Sequence, residues 1–482
     1  MDENSKLDVT ETVKDEQAFM ASELPTPKYA WVALFSTWFV SICIPMAWFC
    51  LPGIANLFFE GGGFHTFYPN MDPGSYGTNF GLLMNAISWA AIVMAIPTGW
   101  VIRRIGPKPT LIIANIATLV GAIGVAAVYS FSYELFLFFR IVEGIGVGMC
   151  SVTGPTAVSL WFSNKHRFMA VAIWSTWVPV GMLIVMNGGA AIVGDINNPA
   201  NLPNLGIVFW GIAIILAIAL VQFAILYRLP SIEKGEVTEI SIERLDYKTA
   251  FPFLKNRQYI GLLISWMLFE FVNFAFTSYD ATFLTGVFGV DNQYATLLSS
   301  ICNAAGILAP IGGMISDRLP WTKKWIMISI GCFSLTLACV FGWKIAAFEL
   351  FIVMMIFHIC GNIVLVGSVR PMVPFLVGRG GATAVAVGLS ILTFFQFLGE
   401  VLETLVPVFL GIFNTAEAAA MGVIAGSAYQ DTATFVLLPV MLVGSFFSLL
   451  VRPNKKDREA AKADNNARAD EMAEKDAEVG KA

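Results

Sequence analysis

Twelve apolar stretches, each long enough to cross a bilayer as a helix, run along this chain in two sets of six, divided by a polar segment near residues 229–256. A helix through roughly 30 Å of hydrocarbon needs about 20 mostly apolar residues, so twelve spans joined by short turns occupy about 400 positions. The remainder is too small for a sizeable soluble domain. Of the 482 residues, 57% are hydrophobic and only 13% charged, outside the range of soluble globular chains. The runs are continuously apolar rather than alternating, so the predicted fold class is all-α integral membrane, not a barrel of strands.

The spans are placed near 29–56, 77–102, 109–130, 134–162, 168–193, 205–228, 257–285, 293–316, 323–342, 346–373, 383–412 and 430–452. The chain then divides into an N-terminal tail (1–28), a six-helix bundle (29–228), a linker (229–256), a second six-helix bundle (257–452) and a C-terminal tail (453–482). Arg103, Arg104, Lys108, Lys165, Arg167, Arg318, Lys323, Lys324 and Arg379 fall in loops on one side, whereas the opposite loops hold Glu60, Asp72, Asp195, Asp291 and Glu417 with Lys344 alone. The positive-inside rule makes the basic side cytoplasmic, which puts both tails and the linker in the cytoplasm of a multi-pass protein of the cell membrane. The first 28 residues lack the basic start and short apolar core of a cleaved signal, so the first span is expected to insert uncleaved. The net charge of −5 is concentrated in the tails and outer loops, and no basic patch points to a nucleic-acid partner.

Seven cysteines (Cys43, Cys50, Cys150, Cys302, Cys332, Cys339, Cys360) all lie inside predicted spans without a CxxC pair, and read as small packing residues. The only histidines are His65, His166 and His358. No His/Cys cluster occurs at metal-ligand spacing and a Ser-His-Asp triad is hard to assemble, so no metal, no cofactor and no enzymatic activity are expected.

An internal repeat is visible: GWVIRRIGPK after the second span and GGMISDRLPWTKK after the eighth occupy corresponding places about 214 residues apart, and Pro155 and Pro371 have a similar offset. Duplicated six-helix halves are a transporter architecture with the binding site at the interface of the repeats near the bilayer midplane. On these motifs the chain resembles the major facilitator superfamily over residues 29–452. The superfamily's cytoplasmic loop motif is matched by Gly313, Asp317, Arg318, Lys323 and Lys324 in the second half. The first-half copy keeps Gly99, Arg104, Gly106 and Lys108 but has Arg103 in place of the usual aspartate. Arg140, Gly144, Gly146 and Gly148 look like the superfamily's Arg-xxx-Gly-x-Gly-x-Gly signature in the fourth span, with packing as the glycines' main role. The resemblance implies two pseudo-symmetric six-helix bundles and gating roles for Gly99, Arg104, Gly313, Asp317 and Arg318. The helix-five signature of drug/proton antiporters is not found in WSTWVPVGMLIVMNGGAAIVG.

Charges that lipid would exclude are the functional candidates, since an ionised side chain at a span centre costs about 2.5–3.5 kcal/mol on insertion scales. These are Arg140, Glu143, Glu270, His358 and Glu400. Arg140 and Glu143 are three apart and able to pair on one helical face, either as a structural ion pair or within the site. Gln396, Glu400 and Glu403 share a face of the eleventh span that is expected to line a cavity. A low-dielectric cavity penalises a bare carboxylate, which makes Glu400 or Glu403 a candidate proton carrier, Glu403 being nearer the outer, solvated end. The Pro155–Pro371 offset puts His358 at the depth of Arg140 and Glu143, with Asn362 one turn along. Glu270 shares a face with Asn273, Asp280 is expected near the outer surface, and Arg370 near the inner end, against backbone, lipid phosphate or an inner gate. Trp177, beside Pro179 and Gly181, is a candidate for the cavity wall at a kinked helix.

The assignments that follow are substrate binding by Arg140, His358, Asn362, Trp177 and Gln396, and proton coupling by Glu143, Glu270 and Glu400. A buried arginine favours an anionic group through charge-assisted bonds. PTAVSLWF and WSTWVPVG look similar to organic-anion and cyanate-permease-like branches of the superfamily. The expected function is secondary transport of a small organic anion by a monomer working by alternating access, through proton-coupled symport. The substrate is a carboxylate, or a larger amphipathic acid such as a bile acid. Anion exchange, export of amphipathic or drug-like compounds, and a membrane ligand sensor are the alternatives.

Overall fold

The structure, a computed structural model, describes residues 26–59, 62–162, 164–195, 198–231, 253–319, 321–377, 381–420 and 424–454. Most of the expected linker and tails, together with Arg379, lie outside these residues, as do the side chains of Arg103, Lys165, His166, Arg167 and Asp317. The described residues contain helices and no strand. The first set is α1 (Tyr29–Trp48), α2 (Tyr76–Ile105), α3 (Pro107–Val128), α4 (Tyr133–Ser159), α5 in two pieces (Asn164–Ser175 and Trp177–Val193) and α6 (Asn204–Leu226). The second is α7 (Arg257–Phe288), α8 in two pieces (Asn292–Ala304 and Ala309–Arg318), α9 (Trp325–Phe341), α10 (Phe348–Val377), α11 (Gly381–Leu402, resuming as Val406–Phe413) and α12 (Gly426–Thr432 and Leu438–Leu450).

Among the described residues, eleven helical stretches are at least 18 residues long and apolar enough to cross a bilayer, and α9 has 17 residues. At about 1.5 Å per residue α9 is at the short end of what spans hydrocarbon. The breaks follow the prolines. Pro310, Pro407 and Pro439 each sit in the first two positions of a resuming helix, after a 3-10 turn in α8 and α11 and a π-turn in α12. Proline lacks the N–H that would continue the preceding helix, so the chain tightens or loosens by one residue there. The first span is shorter than expected: α1 ends at Trp48, and a 3-10 turn at Pro52–Ile54 leads into short helices over the end of the bundle.

The contacts repeat with an interval of six helices. In the first set α1 packs on α5 and α6, α2 on α4, α3 on α4 and α6; in the second α7 packs on α11 and α12, α8 on α10, α9 on α10 and α12. The two sets meet along α2 with α11 and α5 with α8. Among the described residues, hydrogen bonds crossing that seam include Ser88 Oγ donating to Glu400 Oε2 (3.3 Å) and Asn187 Nδ2 to Ser300 Oγ (3.1 Å). The glycine series in α4 is a packing device. A Cβ on Gly148 would lie 2.6 Å from the Ala91 carbonyl oxygen of α2, and one on Gly146 2.9 Å from Thr118 N of α3. Only a hydrogen at these positions lets three backbones approach so closely.

Candidate functional site

Between the two sets lies a cavity of about 70 Å³. Its ionisable wall comes from the second set: Glu270 of α7, Arg370 of α10 and Glu400 of α11. Around them stand the amides Asn273, Asn303, Asn362 and Gln396. Aromatic rings close it, with Trp48, Phe49 and Trp177 contributed by the first set and Trp266 and Phe274 by the second.

The polar groups form two hydrogen-bonded chains. Arg370 Nη2 donates to Gln396 Oε1 (2.9 Å), Gln396 Nε2 to Glu400 Oε1 (3.1 Å), and Ser88 reaches the other oxygen of Glu400 from across the seam. On the opposite wall Asn273 Nδ2 donates to Glu270 Oε2 (3.2 Å), while Asn362 Nδ2 donates to Asn273 Oδ1 (3.1 Å). Among the described residues one ion pair falls within 4.0 Å, Arg140 with Glu143 at 2.8 Å, so the Arg370 guanidinium is held through an amide and not by a carboxylate in contact. A planar fork of donors anchored at one end and facing a cavity is suited to a carboxylate.

Of the residues singled out in the sequence, some line the cavity and some do not. Glu270, Glu400, Gln396, Asn362 and Trp177 all line the cavity. Others need correction. Arg140 does not line it: fully buried in α4, its guanidinium donates to the carbonyls of Leu83 (3.0 Å), Ala47 (2.6 Å) and Trp48 (2.9 Å) as well as to Glu143. A guanidinium saturated by backbone holds helices together, and Glu143 beside it is likewise outside the lining. His358 is buried behind the wall, its Nε2 2.7 Å from Asn273 Oδ1. Glu403, at the start of a 3-10 turn (Glu403–Leu405), is not part of the cavity lining and is buried rather than solvated. Asp280, expected at the surface, is fully buried and accepts from Trp343 Nε1 (2.7 Å). Arg370, expected at an inner gate, faces the cavity. Cys360 is exposed, whereas the other six cysteines are buried.

Of the expected gating residues, Gly313 lies at the seam, where a Cβ would be 4.0 Å from Ala172 of α5. Gly99 is buried in α2, Arg104 stacks over Trp100 (4.1 Å), and Arg318 is exposed. No His/Cys cluster is local in the sequence, but three residues far apart along it converge in space. Asp280, Cys302 and His358, from three different helices, bring one donor atom each within 4.8 Å of the others. Sequence reasoning missed Arg370 as a cavity residue and Asn273 as a hub. The signal for Arg370 was present in the form of a lone cation inside an apolar run.

A model of the Major Facilitator Superfamily matches residues 33–402. The chain belongs to this superfamily. Among its relatives within it, the "Probable galactarate/D-glucarate transporter GudP" of Escherichia coli strain K12 is 22% identical over 274 residues, covering 52% of this chain and 59% of the relative. The arabinose-proton symporter of the same strain is 28% identical over 102 residues, 21% of each protein. The matched stretches thus span less than two thirds of these curated relatives. Solved structures of superfamily type share the fold. A bacterial homolog to the human lysosomal transporter Spinster, inward-facing and unoccupied, aligns with a TM-score of 0.62 at 16% identity over 89% of this chain and 98% of that one. A D-xylose-proton symporter aligns at 0.60 and 16% identity over 88% and 98%.

Proposed function

We propose that this superfamily member is a secondary transporter of the cell membrane, with both termini cytoplasmic, that moves a small organic anion by alternating access coupled to protons. The observation that carries the reading is Arg370: a cation in the central cavity, braced by Gln396 and flanked by two carboxylates, Glu270 and Glu400, neither within ion-pairing distance. A carboxylate substrate docks on the free edge of that fork. Trp177, Trp266 and Phe274 supply apolar contact to its body, with Asn362 and Asn273 available to hydroxyl or carbonyl groups. Two acidic relatives of one cation leave an anion nowhere to bind with both carboxylates charged, so a proton taken up on Glu400 or Glu270 accompanies the substrate. That a relative is named for galactarate and D-glucarate, both diacids, supports the anionic class.

Transport then proceeds by rocking of the two six-helix sets about the seams α2–α11 and α5–α8, which exposes the cavity to each side in turn. Glu400 is suited to link the two events, because its protonation state decides the strength of the Ser88 bond across the seam and of the Gln396 bond to Arg370. The test is uptake by proteoliposomes of a labelled panel running from short carboxylates and sugar diacids to bile acids, with and without an inward proton gradient. Gradient-stimulated uptake of an acid is the expected result. Uptake only into vesicles preloaded with a related anion replaces symport with exchange, and uptake of neutral sugars alone overturns the anion assignment.

A further inference from the structure

Behind the cavity wall, in the second set of helices, three residues with no role in the reading above converge: Asp280 of α7, Cys302 of α8 and His358 of α10. All three are completely buried. Such groups in an apolar bundle normally satisfy one another or the backbone, since a buried polar atom without a partner costs about 1–3 kcal/mol. Here two are left over, Asp280 Oδ2 and His358 Nδ1, both buried and without a hydrogen bond.

The remaining atoms are fixed in a way that leaves these two as donors. Asn273 gives its amide Nδ2 to Glu270, so its Oδ1 is an acceptor, and His358 Nε2 at 2.7 Å must be the proton donor to it. That bond sets the tautomer: Nδ1 carries the lone pair. Asp280 Oδ1 is taken by Trp343 Nε1, which leaves Oδ2. A ring N–H on an amide oxygen and a carboxylate oxygen on an indole are the outer partners that orient metal ligands and hold them against rotation. Trp343 adopts a left-handed backbone (φ 50°) at the end of α9, unusual for so large a residue, and its ring is buried where it reaches Asp280.

We propose that Asp280, Cys302 and His358 form a binding site for a thiophilic divalent cation, with Zn²⁺ as the fitting ion. One sulfur, one nitrogen and one oxygen suit zinc, and three protein ligands leave one position of a tetrahedron for a water molecule. The charges balance. On binding, Cys302 releases its thiol proton to solvent and Asp280 ligates as the carboxylate, so two negative ligands and a neutral imidazole cancel the ion's two positive charges in a low-dielectric interior. No electron is transferred. The access route is the cavity, whose wall at this point consists of Asn273, Thr277 and Asn362; Asn362 Nδ2 also donates to the Cys302 carbonyl (3.1 Å). A bound ion bolts α7, α8 and α10 together, and His358 connects it through Asn273 to Glu270.

The test uses the full-length chain without an affinity tag, purified in detergent, treated with chelator and titrated with Co²⁺ as a spectroscopic substitute. The expected result is a thiolate-to-cobalt charge-transfer band that saturates at one equivalent and is displaced by Zn²⁺. It disappears in Cys302→Ser and persists in Cys339→Ser, a buried cysteine elsewhere in the same set. Trp343→Phe weakens the site by about 10- to 100-fold, as expected for loss of an outer partner. Should Cys302→Ser fail to elute as a folded monomer, His358→Gln serves in its place, with loss of one-equivalent binding expected. Absence of the band in folded wild-type protein, or its survival in Cys302→Ser, overturns the proposal. None of these readouts involves transport, so the site and the transport reading fail separately.

Discussion

Arg140 donates from Nη2 to the main-chain carbonyl of Trp48, 2.9 Å away, so a charged side chain of α4 grips the C-terminal end of α1. The consequence lies across the cavity. Trp48 stacks on Phe274 of α7 at a centroid distance of 5.9 Å, the adjacent Phe49 meets the same ring tilted at 5.8 Å, and Trp48 meets Phe397 of α11 at 6.0 Å. The aromatic closure between the two sets of helices therefore rests on backbone that Arg140 holds in place, and the arginine acts on the cavity through α1.

Arg140→Ala is expected to lower stability by about 3–5 kcal/mol, because it leaves Glu143 buried without its partner and the Ala47, Trp48 and Leu83 carbonyls short of a donor. Thermal unfolding followed by size-exclusion chromatography measures this. In the milder Arg140→Lys, one ammonium cannot reproduce three carbonyl contacts and an ion pair from a planar fork. Turnover should fall with substrate affinity little changed; a selective rise in KM would instead mean that Arg140 touches substrate.

Arg370 should behave in the opposite way. Replacing it with Gln removes a charge-assisted contact worth about 1.5–3 kcal/mol, a loss of affinity of about tenfold to a hundredfold for the transported acid. Thermal stability should change little, since among the described residues the side chain's hydrogen bond is to Gln396 and no carboxylate lies within 4.0 Å of it. Arg370→Lys keeps the charge without the fork and should recover part of the affinity. Binding measured by isothermal calorimetry on both variants decides the matter, and unchanged affinity in Arg370→Gln would sink the anion site.

Glu400→Gln removes a titratable oxygen while keeping an acceptor for Ser88 or Gln396. If Glu400 carries the coupled proton, accumulation driven by an imposed gradient disappears, whereas exchange of labelled for unlabelled substrate across the same membrane continues. The dependence of exchange on pH should also flatten, since the group whose charge changes is gone. Accumulation that persists in Glu400→Gln and vanishes in Glu270→Gln would move the coupling to the other wall.

The sequence was most informative where a single span states its own nature. Apolar length predicted helices, and the offset between Gly99 and Gly313 predicted the repeat that the contacts of α1–α6 and α7–α12 display. Lone charges in apolar runs led to Glu270 and Glu400, because a buried ionisable group must be accommodated wherever it lies. What the spacing did not reveal is rotation about each helix axis. Arg140 and Arg370 are both single cations in apolar spans, and only packing distinguishes the one tied to carbonyls from the one facing the cavity. Asp280, Cys302 and His358 were invisible as a group for the same reason: each is alone on its own helix, and metal-type spacing along a sequence is informative only when ligands share a local segment. Glu403, read from the sequence as the solvated member of its stripe, is buried at a 3-10 turn just before Pro407, and apolar length alone does not tell how deep a helix end is packed.

Rocking of the two sets requires α5 and α8 to change their contact, and Asn187 with Ser300 offers a place to stop it. Their side chains meet at 3.1 Å across the seam, on helices from different sets. A cysteine at each position is expected to form a disulfide under mild oxidation, tethering the α5–α8 seam in the observed arrangement. Substrate uptake should then cease and return on reduction, with each single cysteine variant unaffected by the oxidant. The native Cys360, the exposed one among the seven, is replaced by serine beforehand to keep the cross-link unambiguous. Full uptake by a demonstrably cross-linked protein would mean that this seam does not open during the cycle, and the rocking axis would have to be sought along α2 and α11.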